Sequence, residues 1–196
     1  MKLATVRTVH TIALANEWPV HQLDVNNAFL NCTLVETVYY QQPSSYVDSQ
    51  RSTHVCCLNR SLYGLKQAPR AWFSHFTTYL ASLGFSASKA DPSLFIYHHG
   101  MDTVYLLLYV DDIVLTISSS SLLCHVIDSL HSEFSLEDLG ALHFFLGVSV
   151  QRTAAGFFLS QCQYTEDILA CAGMMNCKPC STPIDTCAKI SSVGDQ

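Results

Sequence analysis

The sequence predicts an α+β domain with a mostly antiparallel sheet and helices packed on one face. Segments with helical spacing of apolar residues are interleaved with short strand-like runs. Two of those runs, Val104–Val110 and Ile113–Ile117, lie so close together that only a hairpin can join them. Hydrophobic residues make up 49% of the 196 and charged residues 13%, enough apolar material for a real core.

Residues 3–16 carry Leu3, Val6, Val9, Ile12 and Ala13 at helical spacing, and Pro19 closes the segment. Val20–Val25 reads as a strand with Gln22 and Asp24 on one face and Leu23 and Val25 on the other. Val38–Gln42 and His54–Leu58 are further strand candidates. The clearest helix runs from Pro69, suited to a first turn, to Leu83, with Gly84 as its stop. Its apolar stripe is Trp72, Phe73, Phe76, Leu80 and Leu83. Val104–Val110 is apolar on both faces, as a buried strand should be. Asp111-Asp112 is placed at the turn, and Ile113–Ile117 returns. A helix follows over Leu122–Phe134, then strand candidates Leu142–Val150 and Phe157–Leu159. Ser160-Gln-Cys-Gln163 fits a capping box for a last helix ending near Gly173.

The formal net charge is −6, from 10 Lys+Arg against 16 Asp+Glu. Phosphate backbones are held by Lys and Arg, so this balance runs against a nucleic-acid partner. No apolar run is long enough to span a bilayer and no charged-then-apolar leader is visible, so no membrane is expected. Nine cysteines without a tight framework suit reduced thiols in the cytoplasm. Both ends read as cut from a longer protein.

Two adjacent acids at a hairpin tip need a reason. A two-residue turn favours Asn-Gly or Asp-Gly, because its central residues need positive φ. A carboxylate aimed along a packed surface is costly unless paired or bound to a cation. One reading is a solvated turn that happens to hold two acids. The other is a divalent-metal site, in which Mg²⁺ takes one or two carboxylates, water and substrate phosphates. Asp24, on a separate strand, is the candidate third carboxylate.

Four blocks then carry a resemblance. Tyr109-Val-Asp-Asp112 resembles the signature of reverse transcriptases. Gln22-Leu-Asp-Val-Asn-Asn-Ala-Phe-Leu-Asn31 resembles the first palm motif of copia-type retrotransposon polymerases. Ser61-Leu-Tyr-Gly-Leu-Lys-Gln-Ala-Pro-Arg-Ala-Trp72 is similar to that family's second block. Leu139-Gly-Ala-Leu-His-Phe-Phe-Leu-Gly147 is similar to its lead into the primer-gripping hairpin. In this order, over nearly the whole chain, they identify it as a member of the copia-type reverse transcriptases.

The resemblance implies a right-hand polymerase: palm with partial fingers over 1–160, and the start of the thumb with a polar tail over 161–196. It implies RNA-templated DNA synthesis, in which a primer 3′-hydroxyl attacks the α-phosphate of a deoxynucleotide with two Mg²⁺ ions, Mn²⁺ being a substitute. Asp24 and Asp111 would ligate the ions, Asp112 would support them, and the Val25 carbonyl would complete a metal shell. Phe29 would exclude a 2′-hydroxyl, or serve only as a core aromatic. Tyr63 and Gly64 would line the nucleotide pocket, with Lys66 and Gln67 near the template or incoming base. Phe145, Leu146 and Gly147 would seat the primer end.

The implied partners are an RNA template, a DNA or RNA primer, deoxynucleoside triphosphates, and the integrase and ribonuclease H parts of the retrotransposon polyprotein. The implied compartment is a cytoplasmic retrotransposon particle, or else the nucleus. Members typically carry Lys near Asn26-Asn27 and Gly where Cys32 stands, and neither departure touches a metal ligand. The basic fingers segment is expected ahead of Met1, which accounts for the acidic balance.

Two other readings compete. A truncated, catalytically inactive remnant would keep the fold and at most bind nucleic acid. Separately, Cys171, Cys177, Cys180 and Cys187 offer four thiolates, with Cys177-Lys-Pro-Cys180 as a C-x-x-C, for zinc or redox chemistry. Their other spacings fit no common zinc pattern. No G-x-S-x-G elbow supports a hydrolase.

Overall fold

The structure, a computed structural model, describes residues 2–153 and 156–178. Helix α1 (Leu3–Ala15) is followed by β1 (Val20–Val25) and a short 3-10 turn, Ala28–Asn31. Strands β2 (Thr33–Gln41) and β3 (Val55–Arg60) pair as a separate two-stranded unit. After α2 (Ala68–Ser82) come β4 (Ser86–Ala87), β5 (Leu94–His99), β6 (Asp102–Tyr109), β7 (Asp112–Ile117), α3 (Ser120–Glu133) and β8 (Leu136–Ala141). The chain continues through β9 (Phe144–Phe145), β10 (Val148–Thr153), β11 (Gly156–Ser160) and α4 (Cys162–Cys171).

The main sheet is six-stranded, in the order β4-β5-β6-β7-β1-β8, and every pairing in it is antiparallel. Its middle strands are buried on both faces. On one face Leu23, Val25, Leu106, Leu108, Ile113 and Leu115 pack against Trp72, Phe76 and Leu80 of α2 and Val126 and Leu130 of α3. On the other, Val20, Leu94, Leu107 and Val114 meet Val9 and Ala13 of α1 together with Phe145 and Val150. The expectation that all helices share one face is therefore corrected: α1 and the small sheet β11-β10-β9 cover the opposite side. The cause is the uninterrupted apolar character of β6, whose alternate residues need a cover on each face.

Other expectations shift locally. Leu142–Val150 is not one strand, because a two-residue turn at Leu146-Gly147, with φ of +53 and +76, folds β10 back on β9. The capping box at Ser160–Gln163 is not formed: Gln161 stands at the N-cap of α4 without a side-chain cap bond. Strands β4 and β8 were not foreseen. Phe73, placed in the stripe of α2, is 37% exposed, while Ala68, Trp72, Phe76 and Leu80 form the buried row.

Helix α1 has no side-chain cap of its own. Asp91, far along the chain, supplies one: the Lys2 amide donates to its Oδ2 at 2.7 Å, and the Ser93 amide to its Oδ1 at 3.1 Å. Burial pushes this carboxyl up, but hydrogen bonds from the Lys2 amide, the Thr5 hydroxyl and the Ser93 amide outweigh that and hold it at about 2, below the ordinary 3.8. The depressed value means the bonds stabilise the fold above pH 3.8 and are lost as pH falls toward 2. Asp91→Ala is expected to cost about 1–2 kcal/mol in urea unfolding at neutral pH. The gap from wild type should close as the pH is brought down to about 2.

Candidate active site at the hairpin tip

The register Tyr109↔Asp112 leaves Val110 and Asp111 as the two turn residues between β6 and β7. This moves the turn one residue back from the expected Asp111-Asp112. Asp112 is instead the first residue of β7, and Asp111 alone of the pair sits on the tip. Val110 takes φ +58, a left-handed conformation that a β-branched side chain rarely adopts and that costs on the order of 1–3 kcal/mol. Both turn carbonyls are held. The Trp72 Nε1–H donates to the Val110 carbonyl at 2.6 Å, and the Val25 amide donates to the Asp111 carbonyl at 3.0 Å.

Strand β1 lies between β7 and β8, and Asp24 pairs with Asp112 on one side and Glu137 on the other. Acids opposite one another across strands repel. Burial raises the proton affinity of Asp24, and the charges of Asp111 and Glu137 raise it further. For Asp112, burial again comes first, then the charges of Asp111 and Asp24, opposed by a hydrogen bond from the Gln22 side chain. The structure thus brings Asp24, Asp111 and Asp112 within electrostatic reach of each other. They are not drawn onto one point: among the described residues no three His, Cys, Asp or Glu side chains stand as a metal-holding group.

Tyr63 belongs to this neighbourhood. Burial, and then the charges of Asp111 and Asp24, push its hydroxyl up. Its ring lies 4.8 Å from that of Phe29, which is 9% exposed on the 3-10 turn and entered through Asn27 at φ +54. Gly64 follows at φ +90, a conformation that would strain any side chain there although the space is open. Lys66 is exposed, and Gln67 is the N-cap of α2. Val25 is buried at 1% exposure.

The primer-seating candidates lie on the α1 side of the sheet. Phe145 is buried in the α1 core, and Phe145 and Leu146 line a cleft of about 440 Å³ beside α1. No hydrogen bond or ion pair among the described residues joins Lys66, Phe145, Leu146 or Gly147 to the carboxylates. Cys171 and Cys177 are exposed, and Cys180 and Cys187 lie outside the described residues. The sequence reading missed Gln22, Glu137 and Trp72 as neighbours of the site. Alternation along β1 did place Gln22 beside Asp24, but nothing local foretells the pairing with β8.

A family described as reverse transcriptase (RNA-dependent DNA polymerase) matches residues 1–186. The chain belongs to the reverse transcriptases. Its relatives among retrotransposon proteins agree with that. It is 44% identical over 191 residues to the retrovirus-related Pol polyprotein from transposon RE2 of Arabidopsis thaliana, covering 97% of this chain and 13% of the relative. The corresponding polyprotein from transposon RE1 of the same plant gives the same identity and coverage. That from transposon TNT 1-94 of Nicotiana tabacum is 35% identical over 194 residues, covering 97% of this chain and 15% of the relative. This reverse transcriptase chain thus spans about an eighth to a seventh of the relatives' length. No helix among the described residues is long and apolar enough to cross a membrane.

The raised carboxyls of this reverse transcriptase site carry a stability consequence. An acid whose folded pKa lies above 3.8 weakens the fold as pH rises through that window, and the full cost is present at neutrality. Asp112→Asn or Asp24→Asn should therefore raise the melting temperature at pH 7 by ~2–4 °C, for about 1 kcal/mol. The gain should vanish below pH 3.8, where the wild-type acids are protonated too.

Proposed function

We propose that the chain is the RNA-directed DNA polymerase part of a copia-type retrotransposon polyprotein, transferring a deoxynucleotide to a primer 3′-hydroxyl. The observation that carries this is the nearness of Asp24, on β1, to Asp111, on the hairpin tip, and to Asp112, the first residue of β7, in a chain of this family.

Hard carboxylate oxygens are the donors that Mg²⁺ or Mn²⁺ prefers, and the mutual repulsion of these acids is what a divalent cation relieves. Asp24 and Asp111 hold the two ions in this reading, with the Val25 carbonyl beside them. Asp112, partnered by Gln22, supports Asp24 from the neighbouring strand. When bound, such ions make the primer hydroxyl a better nucleophile and neutralise charge on the leaving pyrophosphate.

The remaining work is positioning. Phe29, braced by Tyr63, forms the wall against which a sugar 2′-hydroxyl would clash. Tyr63 and Gly64 border the nucleotide, and the exposed Lys66 with Gln67 face template or incoming base. Phe145, Leu146 and Gly147 seat the primer from the α1 side of the sheet, the face that Asp24 shares with Val20. Residues 1–160 make up palm and partial fingers, and 161–196 begin the thumb. RNA template, primer, deoxynucleoside triphosphates and the integrase and ribonuclease H segments of the polyprotein are the partners, within a cytoplasmic particle or the nucleus.

A second reading, an inactive remnant with at most nucleic-acid binding, draws on carboxylates not gathered to one point among the described residues. Primer extension on an RNA template with Mg²⁺ separates the two. The polymerase reading expects template-directed addition, weak in the isolated chain, that falls ~10²-fold or more in Asp111→Asn, the scale of removing one charge-stabilising group. Addition equal in wild type and Asp111→Asn, or absent from the chain even when joined to its polyprotein flanks, supports the remnant.

A further inference from the structure

We infer that Trp72 is a positioning residue for the catalytic carboxylates, acting through one hydrogen bond to the backbone of the hairpin tip; this rests on the polymerase reading of the site.

The hairpin tip is an unfavourable turn for its sequence. Two-residue turns with a positive φ at the first position ordinarily take Gly, Asn or Asp there. Val110 at φ +58 has none of the features that make that conformation easy. Such a residue stays put only when its surroundings over-determine it. Three contacts do so here. The flanking strands fix Tyr109 opposite Asp112. The Val25 amide holds the Asp111 carbonyl at 3.0 Å. The Trp72 indole N–H holds the Val110 carbonyl at 2.6 Å.

Trp72 is suited to that task. It is 1% exposed and wedged among aromatic rings, with Phe76 and Phe134 each 5.3 Å away between centroids. A ring so confined cannot follow the turn if the turn moves, so its N–H is a fixed point. The peptide it holds is the one joining Val110 to Asp111. Its orientation fixes where the Asp111 carboxylate starts from, and hence its separation from Asp24 and Asp112. Phenylalanine keeps an aromatic ring in this cluster, smaller than indole and with no donor, and the packing loss is matched by the Phe76 control below. The aromatic packing and the aim of the carboxylate are therefore separable properties of this one side chain.

The test uses the 196-residue chain, Mn²⁺ binding followed by the loss of the free-ion electron paramagnetic resonance signal, and four proteins. Trp72→Phe should lower Mn²⁺ affinity ~10-fold, the usual size for removing a group that orients a ligand. Adding Val110→Gly, which accepts positive φ without strain, should restore most of that affinity. Phe76→Leu, in the same core but bonded to no hairpin atom, should lower the melting temperature while leaving Mn²⁺ affinity within about twofold of wild type. Equal affinity in wild type and Trp72→Phe overturns the inference, as does a loss that Val110→Gly fails to recover.

The Val25 amide resonance reports the turn without any cation. It should shift in Trp72→Phe and return toward its wild-type position in the double variant. A Val25 resonance that ignores Trp72→Phe overturns the positioning role. Wild-type protein that binds no Mn²⁺ while Val25 responds as expected overturns the polymerase reading and leaves the clamp established.

Discussion

One backbone hydrogen bond, from the Val25 amide to the Asp111 carbonyl, ties the end of β1 to the tip of the β6–β7 hairpin. The pairing of β1 with β7 sets Asp24 opposite Asp112, but Asp111 lies beyond the last paired residue, where strand register no longer controls it. The Val25 bond extends that control by one residue. Without it the third carboxylate of the cluster would ride on a free turn.

The energetics of the site run against stability and are borne by the sheet around it. Burial and the neighbouring acids raise the proton affinity of Asp24 and Asp112, Glu137 adds its charge beside Asp24, and Val110 sits in a strained conformation. Directly behind them, Leu23, Leu106, Leu108, Ile113 and Leu115 are almost fully buried against α2 and α3, while Leu107 and Val114 are buried on the α1 side. At about 25 cal/mol per Å² of apolar surface removed from water, this two-sided packing can support a few kcal/mol of local repulsion and strain. On the proposed polymerase reading, a divalent cation bound there would return part of that cost.

Much of this was legible from residues alone. Period-two alternation gave the bounds of β1 and put Asp24 on the face away from Leu23 and Val25, because successive side chains of a strand point to opposite faces. The apolar run Val104–Val110 signalled burial on both faces, yet only one layer of helices was drawn from it; amphipathic helices do not say which side of a sheet they will cover. The turn was read one residue late because Asp-Asp looks like turn chemistry and a valine at positive φ does not. Strand β8 escaped because Glu137, Asp138 and Gly140 are poor strand formers, tolerated there because β8 is an edge. The link between Trp72 and Val110 spans separate motifs, and no local pattern encodes it. The aromatic pair of Phe29 with Tyr63 likewise joins two motifs that only the fold brings together.

The most direct test of the account is where a paramagnetic ion settles on the folded chain. Sub-stoichiometric Mn²⁺ added to isotopically labelled protein should broaden first the amide resonances of Asp24, Val25, Asp111 and Asp112, with Tyr63 close behind. Broadening spread evenly over the surface acids, or centred on Asp138 and His21 or on the exposed cysteines while the hairpin tip stays sharp, would contradict it.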